Sequence, residues 1–239
     1  MVYEKEDILA VSRCGADACV SIIGAAEIIE DHLCAYFKTL DIDQIKLKSE
    51  FNTFWMIVRN KIKILKTIPW NSQIGVKCAI SDVTLAKMVV EVAIYYQKEL
   101  AIYSNIEICM LDLATQKVRK IKEVLSSDFQ IQPKTIQMDF ERFNENGVSK
   151  LAEFKVNSTN IDYCHHTNNI EYIRIALTAY NFKELLEKPI TGFEINYINQ
   201  AYEGDILEIY GKKCSKYDYL ELMDANKTTI KCKIVRKSR

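Results

Sequence analysis

Apolar positions recur along the chain with two different periods, and the changes of period mark its elements. From Asp17 to Leu40, Ile22, Ile23, Ala26, Ile29, Leu33 and Phe37 return every three or four positions, with Glu27, Asp31 and Lys38 on the opposite side. This spacing predicts one amphipathic helix, with Asp17 placed to cap its first turn. The short mixed segment Tyr3–Ser12 precedes it as a strand. Beyond Phe51, β-branched and aromatic residues dominate. Phe54–Ile68, Gln73–Val83, Lys87–Tyr96 and Ala101–Leu113 read as strands. The turn signals are Pro69-Trp70-Asn71-Ser72, Ser81-Asp82 and Gln97-Lys98-Glu99. Ala114–Lys120 reads as a turn and a basic, exposed stretch.

Glu123–Lys134 is polar, contains Ser126-Ser127-Asp128 and Pro133, and reads as a linker. After it the order repeats. Thr135–Phe143 and Leu151–Ser158 are strand-like, and Asn168–Leu186 is helical with Ile170, Ile173, Ala176, Leu177 and Tyr180 on one face. Pro189 cannot continue that helix. Phe193–Tyr202, Ile206–Lys213, Tyr217–Asp224 and Thr228–Val235 read as strands. Strand–helix–four strands therefore occurs twice, with Pro69–Ile74 in the place of Ala201–Ile206. The expected architecture is α+β, in two halves, 1–122 and 135–239. Each half is an antiparallel sheet that hides one face on a central helix.

Composition narrows the classes. Of 239 residues 49% are apolar, enough for a substantial core, and 32 basic residues balance 32 acidic ones. That balance removes the electrostatic case for nucleic-acid binding. No apolar run approaches the roughly 20 residues of a membrane span, and the N-terminus lacks the basic-then-apolar pattern of a signal peptide. The eight cysteines include no C-x-x-C pair, so the expectation is unpaired thiols in a reducing cytoplasm.

The densest polar segment, Asn157 to Tyr172, lies just before the second helix and holds two of the three histidines, His165 and His166. His32, in the first helix, reads as structural or surface. Free N–H groups at a helix N-terminus favour an oxygen that gains negative charge. The residues alone leave alternatives: plain helix capping, a Cys-His-His metal site that fits tetrahedral geometry poorly, or a catalytic centre.

Asp162-x-Cys164-x-His166-x-Asn168-Asn169-x-x-Tyr172 resembles the D-x-N-x-H-x-N-N-x-x-Y signature of the acyl-ACP thioesterases. Trp55-x-x-x-Arg59 with Pro69, and Tyr197-x-x-Gln200 with Gly204-Asp205, look like the family's stretches in its first and second hot dogs. The resemblance implies a double hot-dog fold and hydrolysis of fatty acyl chains from acyl carrier protein, with no metal ion and no cofactor. It implies Asp162 and His166 as catalytic residues, and Asn168, Asn169, Tyr172, Trp55 and Arg59 as substrate-binding ones. Cys164 stands where the family has Asn, and Gln200 where it has a catalytic Glu; both are candidate catalytic positions. The first half has Arg13-Cys14-Gly15-Ala16-Asp17-Ala18 at the equivalent place, so one active site per chain is expected, with the first hot dog holding the acyl chain.

In the mechanism so implied, Asp162 activates water or attacks directly, and His166 orients the reacting groups or protonates the thiolate. Gln200 positions water, and the helix N-terminus holds the oxyanion. Met56, Val58, Ile62 and Ile64, with Val20, Ile23, Ala26 and Ile29, are candidates for the acyl slot. The acidic carrier and its phosphopantetheine arm would meet Lys61, Lys63, Lys66, Lys117, Arg119, Lys120 and Lys122. Competing readings are an acyl-CoA thioesterase, a weakly active or inactive acyl-binding hot-dog protein, and a transferase using Cys164 as nucleophile. The two halves suffice alone or form a homodimer.

Overall fold

The computed structural model describes residues 2–124 and 129–237, so the Ser126-Ser127-Asp128 part of the expected linker lies outside the described residues. The chain divides into two units: Met1–Val20 with Gly24–Asp139, and Ser21–Ile23 with Phe140–Arg239.

The first unit begins with strand β1 (Tyr3–Ile8) and a 3-10 turn (Val11–Arg13), then helices α1 (Ile22–Thr39) and α2 (Gln44–Phe51). Strands β2 (Thr53–Ile64), β3 (Gln73–Val83), β4 (Lys87–Tyr96), β5 (Glu99–Asp112) and β6 (Val118–Arg119) follow, and then the short helix α3 (Ile121–Val124). The strand order is β1-β3-β4-β5-β2, with β6 on β5. Every pairing is antiparallel. The apolar face of α1 is buried through Ala25, Ala26, Ile28, Ile29, Leu33, Tyr36 and Phe37. Tyr36 packs on Tyr3, and Phe37 packs on Trp55.

In the second unit, β7 (Ser149–Lys155), a 3-10 turn (Ser158–Asn160), α4 (Asn169–Leu177) and α5 (Phe182–Glu187) precede β8 (Ile190–Tyr197). Strands β9 (Ile206–Lys213), β10 (Asp218–Asp224) and β11 (Lys227–Arg236) complete it. The order β8-β11-β10-β9-β7 repeats that of the first unit. Its core is Tyr172, Ile173, Ala176, Phe193, Ile195, Leu207, Ile209, Leu220, Leu222, Ile230 and Ile234. This is the α+β pattern expected, an antiparallel sheet with a helix against it, twice.

Several expectations need correction. Asp17 does not cap α1: its carboxylate accepts from the Cys19 N–H at 3.1 Å, inside the loop ahead of the helix. The predicted helix 168–186 is two, because Asn181 and Glu184 form a reciprocal cap that starts α5. Ser81-Asp82 is no turn but a bulge within β3, and the chain reverses after Val83. Thr135–Phe143 forms no strand. Side chains of the sheets hold its backbone: Thr135 N–H donates to Glu91 (2.9 Å), Tyr103 Oη donates to the Ile136 carbonyl (3.2 Å), and Glu141 N–H donates to Glu194 (2.8 Å). The match of Pro69–Ile74 to Ala201–Ile206 is one residue out of register. Val20 N–H bonds the Ile68 carbonyl where Thr167 N–H bonds that of Ala201, so Ile68 is the true counterpart of Ala201.

Candidate active site

The site segment is a tight loop closed on itself ahead of α4. A bridge between Ile161 and Thr167 spans it. Asp162 N–H donates to the His166 carbonyl (3.1 Å), and His165 N–H donates to the Asp162 carbonyl (2.9 Å). His165 adopts a left-handed conformation, φ 65°, to make that return. The first half makes the same loop: a bridge joins Cys14 and Val20, Gly15 N–H donates to the Cys19 carbonyl, and Ala18 is left-handed, φ 57°. In the first-half loop, Gly15, Asp17 and Cys19 stand where Asp162, Cys164 and His166 stand in the second. The backbone device is thus common to both halves, and only the second carries the acid and the imidazole.

The loop turns three alternate side chains inward together. A carboxylate oxygen of Asp162, Cys164 Sγ and a ring nitrogen of His166 lie within 4.8 Å of one another, all half-buried. Among the described residues this is the one such group of His, Cys, Asp and Glu. Asp162 Oδ1 accepts from the Cys164 N–H at 2.8 Å, which fixes the carboxylate. His166 Nδ1 lies 3.1 Å from the Thr167 carbonyl. A carbonyl only accepts, so Nδ1 is the donor in this contact. His165 is exposed and outside the group.

Asn168 caps α4, its side chain accepting from the Ile170 N–H at 2.7 Å. Asn169 opens the helix, and its carbonyl accepts from Tyr197 Oη at 3.2 Å. Four N–H groups begin any helix without internal partners, and the cap takes one. Tyr172 is buried one turn on, edge-on to Tyr197. Burial pushes its phenol up to about 12, against the Ala201 N–H, which donates to it. Gln200 lies past the end of β8, half-buried, and its Oε1 accepts from Tyr202 Oη at 3.0 Å. Its neighbour Ala201 is tied to the loop: the Ala201 carbonyl accepts from both the N–H and the Oγ1 of Thr167, each at 2.9 Å. Thr167, fully buried, is the residue that sequence reasoning missed; its signal was a hydroxyl between His166 and the Asn168 cap.

Trp55 and Arg59 belong to the first unit. Trp55 is buried, donates Nε1–H to the Ile42 carbonyl (2.8 Å) and packs on Phe37. A bulge in β2 between Ile57 and Arg59 reverses the alternation, and Arg59 lies 3.8 Å from Glu107. His32 is structural, buried between Tyr3 (3.2 Å) and Asp7 (3.6 Å). Of the basic residues expected near the carrier, Lys66 pairs with Glu99, Lys120 with Glu123 and Arg119 with Asp112.

Residues 143–238 match the family model described as the acyl-ACP thioesterase C-terminal domain. The fold is similar to that of an acyl-ACP thioesterase from Bacteroides thetaiotaomicron: TM-score 0.88, 15% identity, 99% of this chain and 98% of the other covered. It is also similar to that of the 12:0-ACP thioesterase from Umbellularia californica, at TM-score 0.84 and 12% identity over 100% and 98% of the two chains. The fold is thus the double hot-dog. No curated protein matches the chain by sequence. No described helix is long and apolar enough to cross a membrane.

Proposed function

We propose, from the acyl-ACP thioesterase domain carried by residues 143–238, that the chain hydrolyses fatty acyl-acyl carrier protein to free fatty acid and carrier. The observation that carries this reading is the convergence of Asp162 and His166 at the start of α4. Asp162, fixed by the Cys164 N–H, takes a proton from water, or attacks the thioester carbon itself, expelling the thiolate and leaving a mixed anhydride that water then hydrolyses. The carbonyl oxygen turns to the first-turn N–H groups that the Asn168 cap leaves over, which oppose the charge it gains. His166, protonated at Nδ1, takes at Nε2 the proton that Asp162 has removed from water and passes it to the departing thiolate. Gln200 can hold a water but cannot take its proton, so Asp162 carries the base role alone. Asn169 and Tyr172 hold the helix end in place.

The first half, Met1–Val20 with Gly24–Asp139, is the proposed seat of the acyl chain, with Trp55 shaping its apolar interior. The carrier protein, a cytoplasmic location and a homodimer are parts of the same proposal. A panel offering one acyl group on acyl carrier protein and on coenzyme A, over several chain lengths, tests it. Faster turnover of the carrier-protein substrates is expected. Preference for coenzyme A would make it an acyl-CoA thioesterase, and binding without turnover an acyl-thioester binder.

A further inference from the structure

We propose that Asp162, Cys164 and His166 form a three-donor site for zinc, and that its occupation switches off the hydrolysis described above; only the switching rests on that reading. The donors are one carboxylate oxygen, one sulfur and one ring nitrogen, within 4.8 Å of one another. Zinc takes all three donor types, and its bond lengths of about 2.0–2.3 Å space tetrahedral donors about 3.3–3.6 Å apart. Side-chain rotation of about an ångström closes that difference. His166 Nδ1 lies 3.1 Å from the Thr167 carbonyl, a bond of the kind that commonly supports a zinc-bound histidine, so Nε2 is the nitrogen assigned here to the metal. The three donors are not needed to form the loop, because the first half folds the same loop with Gly15, Asp17 and Cys19 in their places.

On binding, the Cys164 thiol gives its proton to solvent and its thiolate bonds the metal. The Asp162 carboxylate and His166 Nε2 then direct their lone pairs to zinc, and neither can accept a proton from water. Of the other cysteines, Cys78 and Cys109 are buried thiols that burial pushes up to about 12 and about 11, and neither lies in such a group.

The test is titration of the metal-free full chain with cobalt(II), then zinc. One cobalt per chain with a thiolate-to-cobalt charge-transfer absorption is expected, displaced by zinc. Cys164→Asn abolishes the absorption. His166→Gln weakens binding more than about 100-fold, the upper end of what losing a mere supporting partner costs. His165→Asn, outside the group, leaves the absorption in place. No absorption in the unaltered chain, or absorption surviving in Cys164→Asn, overturns the site. If Cys164→Asn does not fold, zinc protection of Cys164 from alkylation, read by peptide mass spectrometry on the unaltered chain, decides instead, and equal alkylation with and without zinc overturns the site. Zinc at about ten times its Kd lowers turnover about tenfold, and a chelator restores it; unchanged or faster turnover overturns the switch. If the metal-free chain turns over no acyl thioester, the hydrolase reading fails while the cobalt spectrum still decides the site.

Discussion

The backbone N–H of Ala201 donates to the Tyr172 hydroxyl at 2.7 Å, with both residues buried. That bond ties α4, which follows directly on the loop of Asp162 and His166, to the segment carrying Gln200. Tyr172→Phe keeps the ring and leaves the Ala201 N–H without its acceptor. An unsatisfied buried donor costs about 1–3 kcal/mol. A matching fall in denaturant midpoint, without change of slope, is expected in urea unfolding.

Asp218 is buried in the second unit and is satisfied by Arg236 (2.7 Å) and Tyr180 Oη (2.9 Å). Removing one partner of a buried pair costs about 3–5 kcal/mol, because the other charge stays in the interior. Arg236→Ala should lose stability on that scale in chemical denaturation. Replacing Asp218 by Asn as well should recover part of it, since the uncompensated charge is then gone.

Asp43 caps α2 through the N–H groups of Ile45 and Lys46, and the Lys38 ammonium lies 3.0 Å away. The Lys38 hydrogen bond, foremost, holds its carboxyl below the usual value. A folded pKa below the unfolded one contributes stability above about pH 4, and that stability is lost as pH falls through the folded value. Asp43→Ala should cost about 1 kcal/mol at pH 7. The gap to the unaltered chain should narrow below pH 4, read from urea melts at several pH values.

Gly24 lies in the first turns of α1 against the chain ahead of it. A Cβ there would sit 1.9 Å from the Arg13 carbonyl oxygen, which is backbone and cannot swing away. Gly24→Ala should therefore destabilise, by about 1–3 kcal/mol or more, despite alanine's better helix propensity. Thermal unfolding of the variant checks the sign.

Two strands with one buried face were legible to the residue. β3 and β9 begin and end where the sequence placed them, and along both the buried positions alternate, because burial on one side imposes the period of two. Helix α2 was not legible: Leu47 is its one buried residue, so it carries no apolar stripe, and its start depends on the Asp43 cap. The break between α4 and α5 lies in a pair, Asn181 and Glu184, that periodicity ignores. The backbone around Thr135–Phe143 is held by side chains from distant strands, which no local pattern encodes. For the site, the motif named Asp162, Cys164 and His166, and the loop does bring their side chains together. What it could not show is that the first half builds the same loop without them, or that Thr167 clamps it to Ala201.

Gln200 and Cys164 are the two departures from the resembling signature, and a double variant, Cys164→Asn with Gln200→Glu, restores both. A carboxylate at position 200 supplies a second proton acceptor, and positioned general bases contribute about 100-fold or more. Turnover of acyl carrier protein substrates by the double variant should exceed that of the unaltered chain, and equal turnover would show that Gln200 is not at the reacting water.

Hydrolysis of one acyl-acyl carrier protein by metal-free enzyme, compared between the unaltered chain and Asp162→Asn, weighs most on the whole account. Loss of the only base should lower turnover by about 100-fold or more, with the variant's unfolding midpoint close to that of the unaltered chain. Full turnover by a folded Asp162→Asn protein would contradict it.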